Sequence, residues 1–196
     1  MDSTPTFFLL EQARAGNQEA LSRAFEMYRR RLAVLVHFKL SPAARRFSEV
    51  DDVVQETMLR AFRDLDGFTY ESPGSFLRWL STIAGHVIID RLRYEGRARR
   101  AGQEVAFRSR SNPLGAEPAD VQTPSRLLAQ RQSIEHLLDQ LTALPEDYRN
   151  VILMAKIEDM TTAEIAERMG KSREAVALLL HRAVKRFRAV REAASA

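Results

Sequence analysis

The chain contains no cysteine, which excludes disulfides, thiolate zinc sites and cysteine nucleophiles together. Long hydrophobic runs are missing too. A membrane-spanning helix needs roughly 18 apolar residues, and the longest candidates, Leu32–Val36 and Ala175–Leu180, are pieces of amphipathic helices. The first residues show neither the basic segment nor the apolar stretch of a secretory signal. We therefore expect a cytoplasmic protein that makes no contact with a membrane.

Glycine and proline are also scarce, with 8 and 7 in 196 residues. Six of these fifteen fall between Gly96 and Pro124, where large apolar residues are few. This concentration predicts a flexible linker over 97–125 between two small helical domains, at 1–96 and 126–192. The rest of the composition, 45% hydrophobic and 29% charged with a net charge of +4, is typical of a globular protein and permits a nucleic-acid partner without demanding one.

The first block is predicted to be helical because its apolar residues recur at steps of three and four. One stripe begins after Ser48, a predicted helix N-cap, and another begins at Phe76; residues 67–75 between them have the composition of a turn. The first stripe consists of Val50, Val53, Val54, Thr57, Ala61, Phe62 and Leu65, and the second of Phe76, Leu80, Ile83, Ala84 and Val87. These periods predict an all-α fold.

The second block contains two helix starts separated by a glycine. Thr161 and Glu164 have the spacing of a capping box, and Ser172 is the predicted N-cap of the following helix. Between them, Gly170 suits the left-handed conformation that ends a helix. Ala166 is small where two helices must cross closely. The pattern predicts a helix-turn-helix, whose second helix enters the DNA major groove.

Charge changes sign along this block. Residues 135–167 include eight acidic and two basic side chains, whereas residues 168–191 include eight basic and one acidic. Only the second helix and its surroundings are therefore expected to face phosphates. The alternative is an amphipathic helical hairpin with a solvated basic face, but the coincidence of caps, glycine turn and charge favours DNA binding.

With these motifs in place, the sequence resembles the extracytoplasmic-function (ECF) sigma factors, which give a bacterial RNA polymerase its promoter recognition. Four segments carry the resemblance in the family's order: residues 9–20, residues 51–58 (Asp-Asp-Val-Val-Gln-Glu-Thr-Met), residues 76–93, and residues 144–183 with the helix-turn-helix. Residues 9–20 resemble the family's opening helix pair, and residues 51–58 resemble its polymerase-binding motif. Residues 76–93 resemble the helix that reads the −10 element, and residues 144–183 resemble the domain that reads the −35 element. The resemblance implies sigma region 2 in the first domain and region 4 in the second. It further implies a monomeric, non-catalytic holoenzyme subunit whose partners are core RNA polymerase and promoter DNA.

The resemblance also implies which side chains make each contact. Core polymerase would bind a polar face formed by Asp51, Asp52, Gln55 and Glu56. The −10 element would be contacted by Phe68, Tyr70, Trp79, His86, Asp90, Arg91 and Arg93. The three aromatic rings and the two arginines among them supply the stacking surfaces and cations that single-stranded DNA needs. The −35 element would be contacted by Ser172, Arg173, Glu174, Ala177, His181, Arg182 and Lys185. Trp79, like Phe76, also has the spacing of a core residue, and packing is the favoured interpretation for both.

Two positions depart from the family pattern. His86 stands where the family usually has an asparagine that reaches the −10 bases, and the run Ala177-Leu178-Leu179 stands where many members carry polar or basic residues. Readout of the −35 element would then rely on the charged residues around that run, with phosphate contacts dominating. Alternatively, exposed Leu178 and Leu179 contact the first domain or an inhibitory anti-sigma factor when the protein is free.

Two other functions compete with this interpretation. A one-component regulator would use the first block for sensing or dimerisation and would bind a palindrome alone. An enzyme acting on nucleic acid is disfavoured, because the sequence shows no phosphate-binding glycine loop, nucleophile–base pair or paired-carboxylate metal cluster. His86 and Asp90 lie one turn apart without a third ligand nearby, so no metal and no cofactor is expected.

Overall fold

The computed structural model describes residues 3–41, 44–46, 48–72, 74–100 and 134–194. Apart from its first four residues, the predicted linker over 97–125 lies outside the described residues. The chain divides into two units, Met1–Val121 and Gln122–Ala196. The described residues form helices and turns without a strand, so the predicted all-α class is confirmed. No helix among them has both the length and the apolar character to cross a membrane.

The described part of the first unit contains four α-helices. These are α1 (Ser3–Arg14), α2 (Gln18–Lys39), α3 (Val50–Arg63) and α4 (Ser75–Arg100), with single 3-10 turns at Ala44–Arg46 and Leu65–Gly67. Helix α2 packs against the other three helices, and α3 packs against α4. The side chain of Asn17 caps α2 by accepting a hydrogen bond from the Ala20 N–H at 3.1 Å. Four helices around one core are the result.

An aromatic cluster fills the core beneath the turn between α3 and α4. Phe76, only 1% exposed, lies at its centre. Its ring centroid is 5.2 Å from that of Tyr28, 5.4 Å from that of Phe68 and 5.7 Å from that of Trp79. Phe25 stacks on the same ring at 6.3 Å. Because such contacts add to the burial of large apolar surface, this cluster fixes the start of α4 against α2.

The apolar stripes predicted for α3 and α4 are buried with two exceptions, and the first, Val50 at the start of α3, is half-buried. Phe62 is 43% exposed and lies outside the core. The predicted N-cap of α3 is also wrong, because the helix begins one residue later. Glu49 is the N-cap and makes no side-chain capping bond, while Ser48 is buried. Two acidic residues in the first turn complement the helix dipole without a capping side chain.

The second unit is built around the long C-terminal helix. Among its described residues, the helices are α5 (helical residues 134–142), α6 (Glu146–Ile152), α7 (Thr162–Met169) and α8 (Arg173–Ala193). A π-helical segment, Leu153–Ile157, continues α6. Helix α8 packs against α6 and α7. The core side chains that are at most 1% exposed are Leu141, Val151, Ile165, Val176 and Ala183.

Candidate functional site

The turn between α7 and α8 has the geometry that its sequence predicts. Thr161 and Glu164 form a reciprocal capping box: the Thr161 hydroxyl accepts from the Glu164 N–H at 3.3 Å, and the Glu164 carboxylate accepts from the Thr161 N–H at 2.6 Å. Gly170 ends α7 in the left-handed conformation, with φ 62° and ψ 35°. Ser172 then caps α8 by accepting a hydrogen bond from the Ala175 N–H at 3.1 Å. All three local predictions are confirmed.

We expect Gly170→Ala to destabilise the second unit by about 1 kcal/mol, since a side chain in the left-handed region is strained even where space is free. Trp79 is the only tryptophan and lies in the first unit. Thermal unfolding followed by circular dichroism should therefore show the shift while tryptophan fluorescence does not. Gly85→Ala is the matched control, because Gly85 lies inside α4 with no atom near its added methyl group. Gly85→Ala should stabilise the first unit by about 0.5–1 kcal/mol. If the two glycine variants were equally destabilised, the positive φ of Gly170 would have no special role.

The residues predicted to contact the −35 element lie on α8 and at its N-cap. All seven are exposed: Ser172, Arg173, Glu174, Ala177, His181, Arg182 and Lys185. The pKa of Glu174 is lowered by a hydrogen bond from its own backbone N–H and by one from the Ser172 hydroxyl. Glu174 therefore stays ionised as a hydrogen-bond acceptor at the start of α8. One exposed residue that the sequence did not assign to the −35 contacts, Leu178, stands among them.

The four residues predicted to bind core polymerase divide into two pairs. Asp51 and Gln55, one helical turn apart, are exposed. Asp52 and Glu56, also one turn apart, lie beside Arg91 of α4, whose side chain is 9% exposed. The Arg91 guanidinium donates to the Glu56 carboxylate at 2.8 and 3.1 Å and to the Asp52 carbonyl at 3.2 Å. Only the first pair is free of this contact with α4.

Arg60 extends this contact into a network between α3 and α4. Its guanidinium donates to the Glu56 carboxylate at 2.6 Å and to the Asp90 carboxylate at 2.8 Å. The hydrogen bond from Arg60 lowers the pKa of Asp90. Glu56 is thus shared by two arginines, Arg60 and Arg91, and holds the two helices together.

The residues predicted to contact the −10 element fall into buried and exposed sets. Phe68 is 6% exposed, and its ring lies 4.9 Å from that of Trp79 in the aromatic cluster. Arg91 is buried in its ion pair, whereas Tyr70 and Trp79 are half-buried. The exposed set is His86, Asp90 and Arg93, which follow one face of α4 at steps of four and three. The packing interpretation favoured for Phe76 is confirmed, and Trp79 keeps part of its surface open.

Arg14 of α1 has a structural role that the sequence did not reveal. Its guanidinium donates to the backbone carbonyls of Leu65 and Phe68, the first at 3.2 Å. Phe7 of the same helix contacts the ring of Tyr70 edge-on, with centroids 5.6 Å apart. Helix α1 thereby holds the turn that leads into α4. The partners are more than 50 positions apart in sequence, and no local pattern signals such a contact.

Acidic residues and histidines do not gather into a metal site in the part of the chain that the structure describes. No group of three or more potential ligands is found there. His86 and Asp90, the pair one turn apart, are both exposed on α4. Asp90 instead pairs with Arg60 at 2.8 Å.

Two protein-family models match this chain, one within each of its two units. A family model described as Sigma-70 region 2 matches residues 24–98, and one described as Sigma-70, region 4 matches residues 134–187. The ECF RNA polymerase sigma-E factor of Haemophilus influenzae is 27% identical over 161 residues, which cover 82% of each chain. The ECF RNA polymerase sigma factor BldN of Streptomyces coelicolor is 27% identical over 94% of this chain and 65% of its own length. The solved structure of CnrH in complex with the cytosolic domain of CnrY is 24% identical over 96% of this chain and 98% of that one, with a TM-score of 0.48.

Proposed function

The chain belongs to the ECF sigma factors of the sigma-70 family, and from this membership we propose how its residues divide the work at a promoter. It is an alternative sigma factor that directs transcription initiation, with RNA polymerase and promoter DNA as its partners. In the proposal, residues 1–96 form the region 2 domain, 97–125 the linker and 126–192 the region 4 domain. The observation that carries the residue assignments is the exposure of one coherent face on each of α3, α4 and α8.

Core polymerase binds the exposed side of α3 in this proposal. Asp51 and Gln55 make the direct contacts because they are the members of the predicted set that point to solvent. Asp52 and Glu56 act indirectly, through the buried Arg91 that fixes α3 on α4. The contact surface is then rigid before the polymerase arrives, which lowers the entropy cost of binding.

The −10 element is held by α4 and the turn before it. His86, Asp90 and Arg93 offer hydrogen bonds and charge along one exposed face, and the half-buried rings of Tyr70 and Trp79 offer surfaces for a base. The other two predicted residues support this surface from behind in our proposal. Phe68 packs under Trp79, and Arg91 is neutralised by Glu56.

The −35 element is held by α8 in the major groove. The positive residues of its exposed face neutralise phosphates, while Arg173 and Glu174 at its N-terminal end reach base edges. A regulatory subunit of this kind needs no catalytic group of its own. It acts as a single copy in the holoenzyme, in the cytoplasm where the bacterial polymerase works. An anti-sigma factor as a further partner stays a prediction.

We expect the free protein to bind promoter DNA weakly and the holoenzyme to bind it tightly. Two small DNA-binding surfaces joined by a tether gain little from each other until a scaffold fixes their spacing. A gel-shift titration of one promoter fragment, with and without purified core polymerase, measures this difference. Equal affinity in both titrations would contradict the proposal and would favour a regulator that acts alone on DNA.

A further inference from the structure

We propose that Leu178 selects a thymine in the −35 element by contact with the C5-methyl group of that base. This inference rests on the proposed role of α8 in DNA binding. It goes further by naming the side chain and the chemical group that it recognises.

Leu178 lies at the centre of the exposed face of α8. Successive residues of an α-helix are rotated by about 100°, so Leu178 points almost directly away from Val176, which is fully buried at 0% exposure. Its side chain is 50% exposed. Glu174 and Arg182, each one turn away along the helix, are exposed on the same side, as is His181. The leucine therefore stands in the middle of the residues that face DNA.

The charge around Leu178 decides which partner fits. An exposed leucine on a neutral surface would suit any apolar protein, but residues 168–191 carry eight basic side chains and one acidic one. Arg182 and Lys185 lie on the exposed side of the helix near Leu178. Such a surface attracts the phosphates of a duplex, and the duplex then brings base edges to the centre of the face. DNA is the occupant that satisfies both the cations and the leucine.

The chemistry of leucine limits what it can recognise in the major groove. Its side chain has no hydrogen-bond donor or acceptor, so it cannot distinguish the polar groups of the four bases. Thymine alone presents a methyl group at the major-groove edge. Removing that methyl group and part of the leucine side chain from water stabilises the complex with an A·T pair at one position.

Deoxyuridine tests this contact directly, because it differs from thymidine only by the missing methyl group and pairs identically with adenine. Each thymine of the −35 element, on either strand, is replaced singly in a promoter bound by the holoenzyme. We expect wild-type holoenzyme to lose about three- to fivefold in affinity at one position. Leu178→Ala holoenzyme should bind the thymine template about as weakly as the wild type binds the uracil template. Replacing that thymine should cause the variant no further loss.

Lys185→Ala is the matched control on the same helix face. It should weaken binding to all templates by a similar factor and reduce the salt dependence, while keeping the loss at the uracil position. Leu178→Ala is expected to fold, since alanine is a better helix former and the replaced side chain lies outside the core. Circular dichroism of the variant checks this.

Three results would overturn the proposal: no loss at any −35 thymine with the wild type, a full uracil effect in Leu178→Ala, or promoter affinity unchanged by Leu178→Ala. The last result is the one expected if Leu178 covers an apolar protein surface instead. Failure of the underlying function looks different, because the holoenzyme would then bind no promoter template at all.

Discussion

Asp51→Arg should weaken association with core polymerase on the order of 100-fold, because a positive charge would replace a negative one at the centre of the proposed contact. Asp51 is exposed and takes no part in the ion pairs between the described side chains of α3 and α4. The variant should therefore fold normally, apart from the loss of a favourable charge near the helix N-terminus worth about 0.5 kcal/mol. Pull-down or fluorescence titration with purified core polymerase measures the loss.

Glu26→Arg is the matched control for this experiment. It makes the same change of two charge units at an exposed position, on α2 instead of α3. We expect it to leave association within about twofold of the wild type, because screening at physiological salt limits the reach of a surface charge to about 8 Å. Equal losses in both variants would mean that net charge, and not the α3 face, controls binding. Undiminished association of Asp51→Arg would remove this face from the interface.

Glu56→Ala should destabilise the first unit by about 2–3 kcal/mol, because it removes the carboxylate that accepts two hydrogen bonds from the buried Arg91 and leaves only the more distant Asp52 carboxylate, at 4.0 Å. The loss is smaller than for a fully buried pair, since the Glu56 side chain keeps 30% exposure. The single tryptophan, Trp79, lies in the aromatic cluster of the same unit. Its fluorescence during urea unfolding therefore follows the unfolding of this unit.

Asp90→Asn provides the comparison from the same network. Asp90 is 51% exposed and pairs only with Arg60 among the contacts described above, so we expect a loss below about 1 kcal/mol. Because its pKa is lowered in the folded state, the contribution of Asp90 is present at neutral pH. It is lost as the pH falls through that lowered value. If both variants had equal effects, the buried ion pair would have no special role in fixing α3.

The sequence predicted the local chemistry of the helix-turn-helix better than any other part of the chain. The capping box at Thr161, the left-handed Gly170 and the cap at Ser172 depend on residues within four positions of each other. Interactions of this range are determined by side-chain chemistry and backbone geometry alone. The periods of α3 and α4 likewise predicted most of the buried stripe, because packing demands one apolar face.

The division of the polymerase-binding motif was not predictable from its sequence. Asp52 and Glu56 are less exposed than Asp51 and Gln55 because α4 lies beside them. Their partner on α4, Arg91, is 35 positions from Glu56 in the sequence. The same limit explains why Arg91 and Phe68 were assigned to DNA contact. Their residue types suit that role, but burial in an ion pair and in an aromatic cluster depends on contacts between helices. Arg14 was missed for the same reason.

The central claim is that this chain gives promoter specificity to a bacterial polymerase. Run-off transcription with purified core polymerase on a library of promoter fragments tests it most directly. We predict transcripts from a distinct subset of templates only when the protein is added, and their loss with Asp51→Arg but not with Glu26→Arg. The absence of any transcript, together with failure of the protein to co-purify with core polymerase, would contradict the claim.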